Sequence, residues 1–255
     1  MRSRISIVTI IVFLVIFLIS CGKEKYESIV VTAQVAQTLE PESNTATVLI
    51  GKTTIENIFL EPDLTDTTFS DDVFPITVEP ISGAFVKINA LTLSEKADGV
   101  YFKAALDLEY MKKYDLYIET EDVTINGTCF LPDSFSIITP HNADTLLFNN
   151  ITVVWSKSDS AEHYIVGVQP VDTLNEAEGW SDCFEDTSCI VPEEAFEDTL
   201  GNFCSGVYSI SLMAFNGAWK KGALDLFFSG GNLSGAKGIY GAAVYPPVLV
   251  INVKD

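Results

Sequence analysis

Hydrophobic and polar residues alternate along several short stretches in the first half of the chain. Residues 29–35 and 114–119 alternate cleanly, and residues 45–50 are rich in β-forming side chains. A period of two over four to eight residues, bounded by turn formers, is typical of strands in a sandwich or barrel. The side chains expected on the buried face are Ile29, Val31, Ala33, Val35, Tyr114, Leu116 and Ile118. The pattern predicts an all-β fold.

The second half of the chain continues this pattern beyond a boundary at residues 130–134, where proline and turn formers lie. Its strand-like runs resemble the B, C and F strands of a fibronectin type III-like sandwich, with Trp155 as the core tryptophan and Tyr208 on the later strand. The runs that carry this resemblance are residues 151–158, 161–168 and 206–216. We predict two β-sandwich (Ig/fibronectin III-like) domains, at residues 28–130 and 134–255.

The first predicted domain resembles the small prealbumin-like or carboxypeptidase-regulatory-like sandwiches of exported proteins. The runs that carry this resemblance are residues 81–88, 98–101 and 114–118. Helix is expected in two places at most. Residues 104–113 are compatible with a helix or with a strand and turn, and residues 193–200, followed by Gly201, predict a short helix.

The N-terminus has the organisation of a bacterial lipoprotein leader. Arg2 and Arg4 precede an apolar run over residues 5–19, shorter than the roughly 20 residues that a membrane-spanning helix needs. The run leads into Ser20 and Cys21, which resemble a lipobox, the site where signal peptidase II cuts before a lipid-modified cysteine. An uncleaved signal anchor is the alternative, and both interpretations hold the rest of the chain outside the cytoplasmic membrane.

The lipobox resemblance implies a signal peptide at residues 1–20, acyl chains on Cys21 and a lipidated tether at residues 21–27. Gly22 follows the cysteine where an aspartate would favour retention in the inner membrane. We therefore expect an outer-membrane lipoprotein of the cell envelope, exposed at the cell surface. The N-terminal lipid is the only attached group that the sequence predicts.

The charge of the chain restricts the partners that it can have. The formal net charge is −20, and both arginines lie in the leader, so the mature chain carries 13 lysines against 35 acidic residues. Nucleic-acid binding is not expected, because a protein must neutralise phosphates to bind them. Anionic lipid surfaces repel such a chain, so the membrane contact depends on the lipid anchor.

Four cysteines remain once Cys21 carries the lipid, and an exported chain with four cysteines permits two disulfides. A Cys183–Cys189 bridge closes the smallest loop, and Cys189–Cys204 is nearly as plausible. Cys129 lies in a predicted strand, where a buried thiol is the alternative. The sequence predicts no metal site, because it has no C-x-x-C and its two histidines are not at ligand spacing.

The order of the lipobox, the first sandwich, the boundary at residues 128–132, the run at residues 153–156 and the glycine-rich stretch at residues 229–241 resembles a family of uncharacterised outer-membrane lipoproteins. That family is often encoded beside TonB-dependent receptors. Leu233, Ala236 and Tyr240 depart from its usual Ile, Gly and Phe. The resemblance implies location and context, and it brings no catalytic residues. By itself the stretch predicts a tight loop packed over the second sandwich, with glycines at positive φ or in close backbone approach.

A loop at residues 178–186 combines aromatic and acidic side chains and interrupts the sandwich pattern. An aromatic side chain held on a loop stapled by Cys183–Cys189 is a good binding anchor, because it loses little entropy on contact. The alternative is a cap over the open side of the sandwich, with its aromatic rings buried. The candidate partner-binding residues are Trp180, Asp182, Phe184, Glu185 and Asp186.

The sequence favours a binding or accessory protein, with an outer-membrane transporter or a glycan as partner and no catalysis. No nucleophile elbow or phosphate loop is present. One alternative is an extracellular glycan hydrolase that uses paired carboxylates. The other is a calcium-dependent adhesion module, in which the acidic residues 63–72 would supply oxygen ligands to Ca²⁺.

Overall fold

The structure, a computed structural model, describes residues 26–38, 40–55, 76–217 and 232–254. The predicted signal peptide, Cys21 and the acidic stretch 63–72 lie outside these residues. The strands are β1 (Tyr26–Gln37), β2 (Thr45–Ile55), β3 (Ile76–Pro80), β4 (Phe85–Ile88), β5 (Leu91–Thr92), β6 (Ser94–Ala97), β7 (Val100–Ala104), β8 (Lys113–Glu119), β9 (Thr124–Phe130), β10 (Ile137–Thr139), β11 (Thr145–Leu147), β12 (Ile151–Trp155), β13 (His163–Pro170), β14 (Trp180–Phe184), β15 (Ser188–Val191), β16 (Gly206–Gly217), β17 (Leu233–Ser234), β18 (Lys237–Val244) and β19 (Leu249–Lys254).

Helical structure in the described ranges is limited to three short 3-10 turns, Pro41–Ser43, Phe148–Asn150 and Glu193–Phe196. The last of these falls inside the predicted helix at 193–200, which therefore ends four residues early. Residues 105–112, for which helix was one of two expectations, contain no helix. Within the described ranges, no helix is long and apolar enough to cross a membrane.

The strands form three sheets. A large sheet of 11 strands has the order β11-β19-β16-β18-β1-β2-β7-β6, with β13 and β14 attached beside β16 and with β3 attached beside β2. A five-stranded sheet has the order β17-β9-β8-β4-β5, and a three-stranded sheet has the order β10-β12-β15. The two smaller sheets cover different parts of the large one, and each covered part is a sandwich with its own core.

The first sandwich confirms the alternation that the sequence predicted. Val31, Ala33 and Val35 are buried, and Ile29 packs at the edge of the same core. On the facing sheet Tyr114, Leu116 and Ile118 of β8 are buried in the same cluster. The period of two thus places one face of each strand in the first core.

The second sandwich consists of the three-stranded sheet and four strands of the large sheet. The three-stranded sheet packs against β14-β13-β16-β19, and β11 pairs in parallel with β19 at the edge. Trp155 on β12 is fully buried in this core, as predicted. The hydroxyl of Tyr208 on β16 donates to the backbone carbonyl of Cys204, 2.5 Å away, which is the tyrosine-corner contact of such sandwiches.

Strand β18 lies where the sequence predicted a loop. It is inserted between β16 and β19 in the chain, and it pairs in parallel with β1 and antiparallel with β16. Its Tyr240, Ala242 and Val244 lie in the first core. The predicted second domain, residues 134–255, therefore contains a segment that completes the first sandwich, and one sheet runs through both sandwiches.

Polar contacts lock the two sandwiches together at the end of β16. The side-chain amide of Asn216 donates to the carbonyl of Ser160 at 2.8 Å, and its oxygen accepts from the backbone N–H of Phe130 at 2.8 Å. The backbone N–H of Gly217 donates to the carboxylate of Glu162 at 3.0 Å. The predicted boundary near residue 130 is thus part of a hydrogen-bonded junction.

Candidate functional site

The predicted binding loop is largely a strand. Trp180 and Phe184 are the first and last residues of β14, which pairs with β13. Trp180, Asp182 and Phe184 alternate along this strand, and their partners on β13 are buried core residues. These three predicted site residues therefore share the inner face of the sheet.

The two predicted aromatic anchors close the side of the second core. The rings of Trp180 and Phe184 lie 6.0 Å apart, and Phe184 meets the edge of Trp155 at 6.4 Å. Both are half-buried and pack against the core cluster. This geometry favours the cap interpretation for the two rings, while their role in partner binding stays a prediction.

The acidic members of the predicted site divide between two places. Asp182 is half-buried, and its carboxylate accepts from the neighbouring backbone N–H of Cys183 at 2.8 Å. Glu185 and Asp186 are exposed in the turn that follows β14. The structure therefore brings Asp182 together with the aromatic rings and leaves the other two carboxylates at the surface.

The predicted Cys183–Cys189 disulfide is not formed in the structure. Cys189 lies on β15 in the second core, facing inward. Cys183 pairs with Ile165 and alternates with the inward residues of β14, so its side chain lies on the outer face of the other sheet. Sequence proximity suggested a bridge that strand alternation disfavours, since a disulfide needs its two Cβ atoms within about 4.5 Å.

Native thiol reactivity should follow this placement. Burial raises the pKa of Cys129 to about 12, and burial followed by the nearby Asp182 raises the pKa of Cys189 to about 11. Both thiols should stay protonated and resist iodoacetamide at about pH 8 in the folded, reduced protein. The half-buried Cys183 and Cys204 should react first, which peptide mass spectrometry over a time course measures. A mass that shows one disulfide in unreduced protein, with Cys183 and Cys189 unlabelled, would restore the predicted bridge.

A cleft of about 480 Å³ opens between the two sheets of the first sandwich. One wall comes from the start of β1 and from β2, where Ile29 and Lys52 are cross-strand neighbours. The turn between β8 and β9 forms another side, and the segment between β3 and β4 completes the lining. The lining residues are Ser28, Ile29, Lys52, Ile81, Ser82, Gly83, Ala84, Thr120, Glu121 and Asp122.

The segment from Ile81 to Ala84 is held by hydrogen bonds at both ends. The backbone N–H of Ile81 donates to the carbonyl of Ile50 at 3.0 Å. The hydroxyl of Tyr101 donates to the carbonyl of Ile81 at 3.1 Å and accepts from the N–H of Ala84 at 2.8 Å. A buried tyrosine therefore fixes this side of the cleft.

Glu95 holds the middle of the same segment. Its carboxylate accepts from the backbone N–H of Gly83 at 3.0 Å and from that of Gly99 at 3.1 Å. The N–H of Gly83 is the largest of the contacts that lower the pKa of Glu95 below its usual value. The carboxylate stays ionised at neutral pH, so this contact is retained across the physiological range.

The opposite side of the cleft is a compact turn. The hydroxyl of Thr120 accepts from the backbone N–H of Asp122 at 3.3 Å and from that of Val123 at 3.0 Å. Glu121 and Asp122 stand exposed at its tip. The cleft therefore combines aliphatic surface, hydroxyl groups and charges of both signs between walls with defined backbone geometry.

Sequence reasoning did not find this cleft. Its residues come from four separate parts of the chain and meet only through strand pairing and the β8–β9 turn. Within the described residues, no group of three or more His, Cys, Asp or Glu side chains is placed to hold a metal ion. The acidic residues 63–72 and Cys21 lie outside the described ranges, so the calcium alternative and the lipidation stay predictions.

The strand register places the cleft near the start of the described chain. Ser28 and Ile29 lie two and three residues after Tyr26, where β1 begins inside the predicted tether. Cys21 lies five residues before Tyr26 in the sequence. No protein-family model matches the chain, and comparison with curated proteins gives no significant match.

Proposed function

We propose that this chain is a lipid-anchored binding protein of the cell envelope, accessory to an outer-membrane transporter and without catalysis of its own. The observation that carries the proposal is the cleft in the first sandwich, whose walls are fixed before any ligand arrives. Preformed walls lose little conformational entropy on binding. The lipobox at Cys21 supports the anchor, and the tail that resembles a lipoprotein family supports the accessory context.

The ligand that suits the cleft is a polyhydroxylated molecule such as a glycan segment. The exposed carboxylates of Glu121 and Asp122 can accept hydrogen bonds from sugar hydroxyl groups at the rim. Aliphatic surface from Ile29 and Ile81 suits the apolar face of a sugar ring.

The hydrolase alternative gains no support from this cleft. Glycosidases need two carboxyl groups facing each other across the scissile bond, roughly 5–10 Å apart. The carboxylates that line this cleft, Glu121 and Asp122, are consecutive residues of one turn. They are placed to accept hydrogen bonds from a ligand at the rim.

Filling the cleft with a bulky side chain should abolish glycan binding. Ser82→Trp places an indole at an exposed position in the lining, so the fold should be unaffected. The matched control is Thr92→Trp, at an exposed position on β5 of the same sandwich. Full-length protein in detergent would be titrated with a panel of neutral and acidic polysaccharides. We expect about tenfold or greater loss of affinity in the first variant only.

The accessory role is tested separately in intact cells. Tagged full-length protein would be crosslinked, purified and compared by mass spectrometry with an unrelated lipoprotein. Enrichment of an outer-membrane transporter supports the accessory role. A wild-type protein that binds no polysaccharide and enriches no transporter would overturn the proposed function.

A further inference from the structure

Two turns of the second sandwich present a leucine to solvent in the same way. Leu174 is 85% exposed and Leu200 is 83% exposed, the two highest values among the exposed large hydrophobic residues of the described ranges. Each follows the sequence Asp-Thr. The carboxylate of Asp172 accepts from the backbone N–H of Leu174 at 2.9 Å, and that of Asp198 accepts from the N–H of Leu200 at 2.8 Å. We call these four residues the leucine tip.

Hydrogen bonds fix the two turns to each other. The side-chain amide of Asn175 donates to the hydroxyl of Tyr208 at 3.2 Å, and that hydroxyl donates to the carbonyl of Cys204. The N–H of Glu178 donates to the carbonyl of Glu197 at 3.1 Å. The two leucines are therefore held on one rigid scaffold, although neither is covered by the protein.

The second turn is further fixed by a charged group. The carboxylate of Asp198 accepts from the side-chain amide of Asn202 at 3.0 Å and from its backbone N–H at 2.9 Å. The Asn202 amide contributes most to lowering the pKa of Asp198. Asp198 therefore stays ionised at neutral pH and keeps its negative charge beside the exposed leucine.

The chain around the leucine tip is strongly acidic. The two segments that carry the turns, residues 171–179 and 192–206, contain seven acidic residues and no Lys, Arg or His. Lys254, at the end of β19 next to the partner of Gly206, is a cation at this end of the sheet. A surface that combines exposed leucines with surrounding carboxylates complements an apolar recess edged by basic side chains.

The leucine tip lies at the opposite end of the large sheet from Tyr26, the first described residue. Gln37 at the end of β1 is level with Val244, which is level with Ala214 of β16. From Ala214, the residues of β16 with lower numbers continue in the same direction, away from Tyr26. The first residue of this strand, Gly206, lies beside the two turns. The path from Tyr26 to Gln37 and on to Gly206 is about 60 Å along the strands at 3.3 Å per residue.

We propose that the leucine tip is a docking surface for a protein partner that offers an apolar recess for each leucine and a rim of Lys or Arg. A second copy of this chain does not fit, because it would bring carboxylates against carboxylates. A bilayer with anionic lipids repels the same charge. The inference rests on the proposed function only in expecting the partner to be an envelope protein.

Photo-crosslinking in intact cells tests this surface directly. A photoreactive amino acid would replace Thr173 or Thr199, each exposed and next to a tip leucine, in the full-length lipidated protein. The control position is Ile190, which is 73% exposed on the three-stranded sheet. We expect both tip positions to crosslink the same protein, through a peptide that carries apolar and basic residues, and the control position not to do so.

Two matched double variants distinguish the contribution of the leucines to the crosslink yield from that of the charges. L174S/L200S removes only exposed apolar groups, so the fold should be retained while the crosslink yield falls about tenfold. D172N/D198N removes the charges, and asparagine can form the same turn. It should lower the yield at low salt and make it less sensitive to added salt. I190S and the cleft variant S82W should leave the yield unchanged.

The proposal is overturned if the tip positions crosslink a second copy, a lipid or no more than the Ile190 position does. It is also overturned if L174S/L200S has no effect on the yield. Loss of polysaccharide binding in S82W, with the crosslink intact, would show that the cleft and the leucine tip act independently.

Discussion

Alanine in place of Gly238 should lower the free energy of unfolding by about 3 kcal/mol or more. Gly238 has φ +120°, and an added Cβ would lie 1.9 Å from the carbonyl oxygen of Val31. The two residues are register partners in the parallel pair β1–β18. The added methyl group cannot be accommodated by a side-chain movement, because the atom that it meets belongs to the backbone. Urea denaturation followed by tryptophan fluorescence measures the change.

Gly83→Ala is the matched control for this substitution. Gly83 also has positive φ, at +74°, but an added Cβ there would meet nothing within 4 Å. This substitution should lower the free energy of unfolding by about 1 kcal/mol, because only the left-handed backbone conformation disfavours the alanine. Equal losses at the two positions would mean that backbone conformation, rather than the close pairing of β18 with β1, limits stability.

Gly238 lies on β18, the strand that connects the two sandwiches. Its Tyr240 is buried in the first core, while Ala243 lies on its other face beside Phe215 of β16. Displacing the strand would separate the part of the large sheet that lines the cleft from the part that carries the leucine tip. The whole described chain should therefore unfold in one transition in the wild-type protein.

Alternation was a reliable guide where a strand has one buried face. Val31 and Tyr114 lie where the pattern placed them, because their strands carry polar residues on the other face. Trp155, which the fibronectin type III resemblance placed in the core, is buried as well. Strand β18 is buried on both faces from Gly238 to Val244. A strand of that kind shows no alternation of hydrophobic and polar residues in its sequence, and its glycines are typical of a loop.

The site was harder to predict than the fold for a physical reason. Residues that are close in sequence, such as Cys183 and Cys189, are separated by the alternation of their strands. Residues that are far apart, such as Ile29 and Ala84, meet at one cleft through strand pairing. The repeated Asp-Thr-Leu sequence was visible in the chain, but only the structure showed that Leu174 and Leu200 are exposed to solvent.

Trp180→Ala should lower the melting temperature by about 5–10 °C, which corresponds to about 2–3 kcal/mol in a chain of this size. The indole packs on Phe184, which in turn meets Trp155, so its removal exposes the side of the second core. The expected loss is smaller than for a fully buried tryptophan, because Trp180 is only half-buried. Calorimetry of the full-length protein measures it.

Ile190→Ala is the control, because that side chain is 73% exposed on the same sandwich and should change the melting temperature by less than about 2 °C. The two interpretations of β14 then make opposite predictions. If β14 is a cap, the Trp180→Ala variant is less stable than the wild-type protein and still forms the crosslinks at Thr173 and Thr199. If Trp180 is a binding anchor, the melting temperature of the variant stays within a few degrees of the wild-type value and a partner contact is lost. That result would assign the docking surface to β14 instead of the leucine tip.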